Sequence, residues 1–98
     1  MAQYFLEDPL GYVQMTSITA AVGLTGIPAG AKGALFVVEV ARVRWRDDGT
    51  APTATVGMAL DPVSSTVVGE PFYYQGDLRD VQVIGASGAI LNISYYGG

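Results

Sequence analysis

The chain has 98 residues, half of them apolar and 14% charged, with a net charge of −4, a length at which one hydrophobic core is expected. Five Lys and Arg against nine Asp and Glu argue against nucleic acid as the main partner, because phosphate neutralisation needs a broad basic face. The sequence holds neither Cys nor His, which removes the disulfide framework, the thiolate nucleophile, and the commonest zinc ligands and general base.

Thirteen Gly and five Pro cut the chain into short runs with no sustained helical period. Residues 1–9 read as an N-terminal arm and residues 10–98 as a single β-sandwich domain. The arm carries Tyr4, Phe5 and Leu6 outside the core pattern. It is either a frayed tail or a segment that packs on a neighbouring subunit. It has no basic residue, unlike a signal peptide, and no run reaches the ~18 apolar residues of a membrane span. Together with the lack of Cys, this gives the expectation of assembly in a reducing cytoplasm without a membrane partner.

After an Asp8-Pro9-Leu10-Gly11 turn, residues 13–19 are β-prone, and residues 23–32 read as a loop around Ile27-Pro28-Ala29-Gly30. Residues 33–41 are the strongest strand. Ala34, Phe36, Val38 and Val40 face one way and Leu35, Val37, Glu39 and Ala41 the other, a pattern for a strand that is central in its sheet or covered on both faces. Residues 42–46 alternate strictly, with Val43 and Trp45 inward and Arg42, Arg44 and Arg46 on a solvent or partner face. Asp47-Asp48-Gly49-Thr50 then has the composition of a hairpin turn, and residues 53–60 return as the partner strand. Residues 61–69 are a Ser/Thr-bearing loop with a possible short strand near Thr66. Strands follow at 72–75, 81–84 and 89–96, the last with Ala89, Leu91, Ile93 and Tyr95 on one face. Seven to eight short antiparallel strands at this spacing predict an all-β single domain, a β-sandwich or a jelly-roll-like barrel.

Chemistry-bearing groups are sparse. Asp47-Asp48 lacks the ladder of oxygen ligands of a calcium loop and suits a turn. Most carboxylates fall in turns, and Glu39 reads as one half of a structural ion pair rather than a catalytic acid. Serines without His make no triad. The chain is therefore expected not to be an enzyme and to use no cofactor or metal. Asn92-Ile93-Ser94 matches a glycosylation sequon by accident. The arginines are expected to bridge to Asp47 or Asp80, or to dock on another subunit. Of the adjacent pairs Tyr73-Tyr74 and Tyr95-Tyr96, each must send one ring outward, which suits an interface or a sugar platform. Tyr73, Tyr74 and Tyr96 join Arg42, Arg44, Arg46, Tyr4, Phe5 and Leu6 as interface candidates.

The run from Arg44 to Met58 reads R-W-R-D-D-G-T-A-P-T-A-T-V-G-M. It resembles a group of small bacteriophage and prophage virion proteins carrying R-x-R-D-D-G-T-x-P-T-x-x-x-G-M. Three further features fit that group: G-Y-x-Q-x-T-S from Gly11, I-P-A-G-A from Ile27, and a late G-D-L from Gly76 followed by L-N-I-S-Y-Y from Leu91. The likeness covers residues 10–96. Residues 61–70 are longer than the short turn of the pattern, and the first nine residues precede it. The resemblance implies a virion-associated β-domain on the outer capsid surface, made in the host bacterial cytoplasm. The implied role is a capsid cement or decoration protein that binds the major capsid protein and itself, as a trimer or another oligomer. The alternative is a tail- or fibre-associated or carbohydrate-recognition β-module.

Overall fold

A computed structural model describes residues 8–97. Among these, eight strands run in chain order: β1 (Asp8–Met15), β2 (Val22–Gly23), β3 (Ala31–Glu39), β4 (Val43–Arg46), β5 (Met58–Leu60), β6 (Phe72–Gln75), β7 (Gln82–Gly85) and β8 (Ile90–Gly97). A single 3-10 turn, Leu78–Asp80, precedes β7 and is capped by the Asp77 carboxylate, which accepts from the Arg79 N–H. The strands form two four-stranded sheets, ordered β1-β8-β3-β6 and β2-β7-β4-β5. All pairs are antiparallel.

First strand pairs with last, second with seventh, third with sixth and fourth with fifth. A chain doubled back on itself and rolled up produces this order, which is that of a jelly roll. The two sheets face each other as an open sandwich rather than a closed barrel.

The core follows the two-residue strand period. Ala34, Phe36 and Val38 of β3 and Leu91, Ile93 and Tyr95 of β8 are buried, facing Val43 of β4 and Val83 of β7. An aromatic cluster joins the sheets on the β5/β6 side. The Trp45 ring lies 5.6 Å from Phe72 and 5.4 Å edge-on from Tyr74, and Phe36 stacks on Tyr74 at 6.3 Å.

Three local expectations are corrected. Asp8 to Gly11 is strand, not turn, and Asp8 and Pro9 pair with Gly97 and Tyr96 rather than belonging to an arm. β1 is an edge strand, where a residue without an N–H is tolerated, and a register shift between Pro9 and Gly11 absorbs the extra residue. The third strand stops at Glu39. Val40 has φ +77°, and the Ala41 N–H donates to the Glu39 carbonyl at 2.9 Å, a positive-φ γ-turn that turns Val40 out to solvent.

Finally, Asp47-Asp48-Gly49 makes no tight hairpin. Residues 47–57 form a long loop, and only Met58–Leu60 pair with β4. Buried Pro52, a Thr53 side chain that accepts from the Thr55 and Val56 N–H groups, and Gly57 at φ +140° shape that loop.

Candidate binding surface

The alternation that buries one face of the β1-β8-β3-β6 sheet leaves the other without a covering layer in the described chain. Register places Tyr12, Ser94, Leu35 and Tyr73 in one row across four strands, with Gln14, Asn92 and Val37 in the next. Tyr96, Gly33 and Gln75 lie on one side of these rows and Ile90 and Glu39 on the other. Of these residues only Glu39 carries a charge.

Tyr12 is 63% exposed. Its hydroxyl donates to Asn92 Oδ1, one register step along the sheet, so the ring lies along the β1/β8 seam. Gln14 Nε2 donates to the same oxygen at 3.1 Å, and Asn92 Nδ2 donates to Glu39 Oε2 at 2.6 Å. Asn92 thus joins three strands in one polar network. Tyr73 lies over Gly33, where a Cβ would overlap its hydroxyl, and meets Tyr96 edge-on with ring centroids 6.0 Å apart. The result is a flat face of laid-down rings and short aliphatics, with an amide-carboxylate network between them.

The expected candidates divide. Tyr73 and Tyr96 lie on this face. Tyr74, the expected third ring, is 6% exposed in the core; β6 sends alternate residues to opposite sides, and the aromatic cluster claims this one. Its hydroxyl donates to Asp47 at 2.7 Å. Burial first, and then that bond, push its pKa above the ordinary value. Tyr4, Phe5 and Leu6 lie outside the described residues.

The three arginines lie on the opposite side of the sandwich, Arg44 and Arg46 in β4 and Arg42 just before it, and are engaged within the chain. Arg42 forks onto Asp61, and Arg46 onto Asp48. The acceptors are therefore these two carboxylates, not Asp47 or Asp80, and each is held below its ordinary pKa chiefly by its arginine's hydrogen bonds. Arg44 donates to the Ala54 and Gly57 carbonyls at 3.2 and 2.9 Å, tying the 47–57 loop to β4. The stripe that looked like a docking face works as a set of staples. Glu39 likewise accepts from Asn92 instead of pairing with an arginine.

Sequence reasoning missed Tyr12, Gln14 and Asn92. A Tyr-x-Gln alternation, Tyr12-Val13-Gln14, was the available signal, and the sequon asparagine is in fact the centre of the network. Comparison of the chain with protein-family models, curated proteins and solved structures finds no match.

On the β5/β6 side a cleft of about 420 Å³ opens between the sheets and reaches Phe36, Val38, Leu60 and Phe72, with Asp61 and Glu70 at its mouth. Beside it Val63, Val67 and Met58 are exposed. Among the described residues no cluster of three His, Cys, Asp or Glu is placed to hold a metal, and no helix is long and apolar enough to cross a membrane.

Proposed function

We propose that the chain is a structural protein of a bacteriophage virion, a capsid cement or decoration protein that binds across capsid subunits. The contact surface is the outer face of the β1-β8-β3-β6 sheet. One observation carries the reading: no second layer covers this face among the described residues, where Tyr12 and Tyr73 are exposed and Leu35, Val37 and Tyr96 lie half-buried between and beside them. Apolar area left partly open on a sheet face marks interaction sites, and tyrosine is enriched in them. Bridging a seam needs contact area repeated by symmetry, not catalytic groups. The jelly-roll order suits this reading, since viral capsid domains share it with lectins, although architecture alone does not specify function. The segment likeness to phage virion proteins points the same way, with the major capsid protein as partner and the outer surface of the head as location.

The test is co-sedimentation of the purified chain with purified capsids, followed by capsid heat stability with and without it. Binding is expected, together with a higher capsid melting temperature, and Tyr12→Ala with Tyr73→Ala removes both effects. Capsids that neither bind the wild-type chain nor gain stability from it would overturn the proposal.

The Tyr12 ring beside Gln14, Asn92 and Glu39 favours a second reading, carbohydrate recognition in a tail or fibre. An aromatic platform edged by amides and a carboxylate suits a sugar ring and its hydroxyls. A glycan array gives a Tyr12-dependent signal in that case; a blank array rejects it.

A further inference from the structure

The four sheet edges are unequal. Edge strands β2, β5 and β6 have two, three and four residues, whereas β1 has eight. Short length is one of the devices by which proteins protect edges from pairing with another chain. The first strand has other such devices, Pro9 and the bulge, but only in its first third. From Gly11 to Met15 it pairs regularly with β8 on one side. On its other side, among the described residues, no loop forms a backbone hydrogen bond to it. The segment from Leu10 to Met15 carries no charge, and Leu10, Tyr12 and Gln14 are exposed.

We infer that two copies of this chain associate edge to edge, their β1 strands pairing antiparallel about a two-fold axis perpendicular to the sheet. A second copy supplies what this edge lacks: a strand of equal length, uncharged from Leu10 to Met15, with the same inward and outward alternation. Opposed residues of an antiparallel pair point to the same side, so Tyr12 and Gln14 meet their counterparts on the outer face and Val13 meets its own row on the core side. Antiparallel pairing keeps the two Asp8 carboxylates at opposite ends of the ladder, and no like charges meet. The product is one continuous eight-stranded sheet, four strands from each copy, which doubles the exposed face. This contact uses the edge and not the face, so it is independent of the capsid reading and is tested on the purified chain.

Because the sequence has no Cys, single-cysteine variants report the pairing directly. Tyr12→Cys, Gln14→Cys and an equimolar mixture of the two sample the three registers that keep outer residues together. Ser87→Cys, in the exposed turn before β8, is the control. In one of the three samples oxidation to a covalent dimer is expected at least about tenfold faster than in the control, because pairing raises the local thiol concentration. The wild-type chain is expected to sediment with twice its 10.2 kDa mass at high concentration. Gln14→Lys, which sets cations across the axis, returns it to the monomer with its circular dichroism unchanged. Cross-linking no faster than in the control, a monomer at every concentration, or a dimer that persists in Gln14→Lys would each overturn the inference.

Discussion

Raising the pH tests how tightly the sandwich is closed. Tyr95 is fully buried in β8, and its hydroxyl donates to the Thr25 carbonyl at 2.7 Å. Burial raises its pKa from 10.0 to about 12, because a phenolate in the core would lose its hydration. The unfolded chain releases this proton near pH 10, while the folded chain holds it until about pH 12. Between those values the unfolded state binds fewer protons, so stability falls as pH rises. This contribution is fully present below pH 10. Two pH units at 1.36 kcal/mol each set a ceiling of about 2.7 kcal/mol. Tyr74, whose pKa is also raised by burial and by Asp47, adds loss in the same direction.

For a domain of this size a loss of about 2 kcal/mol lowers the melting temperature by roughly 10 °C. Melts followed by circular dichroism between about pH 8 and 12, beside absorbance of the phenolate band, measure it. Tyr95→Phe removes the titration. The variant starts about 1–3 kcal/mol less stable, because the Thr25 carbonyl loses its donor, but it declines less steeply, so the two curves converge toward pH 12. Parallel curves for wild type and variant would refute the reasoning.

The arginines are expected to be unequal. Arg44→Met, which leaves two loop carbonyls without a donor, costs about 1–2 kcal/mol and exposes residues 47–57 to limited proteolysis. Arg44→Lys does not restore protection, since an ammonium lacks the guanidinium fork. Arg42→Ala and Arg46→Ala break exposed pairs and shift the melt less. Val40→Gly is expected to stabilise. Relief of a β-branched residue at positive φ is worth about 1–3 kcal/mol, against about 0.5–1 kcal/mol for the extra freedom of glycine when unfolded. A lower midpoint in denaturant for Val40→Gly would contradict the strained turn.

Much of the architecture was legible because it depends on local alternation. That Ala34/Phe36/Val38 share a face, and Leu91/Ile93/Tyr95 another, follows from a period of two, and the sixth strand falls where it was expected. Alternation requires one ring of Tyr73-Tyr74 to turn inward, but not which one. That depends on Trp45 and Phe36 lying across the sandwich to receive it. The hairpin at Asp47 failed for a related reason. Its local turn signal was outweighed by Arg44 binding carbonyls ten and thirteen residues away.

By itself, the sequence determined the class of the protein: all-β, short strands, and which residues share a face within its strongest strands. These are near-neighbour properties, written in side-chain size and spacing. Only the tertiary structure decided the surface. Tyr12 and Asn92 are 80 residues apart, and nothing near either names the other. They meet because the chain rolls its first strand onto its last, and that pairing is worth forming only when both sheets close over one core.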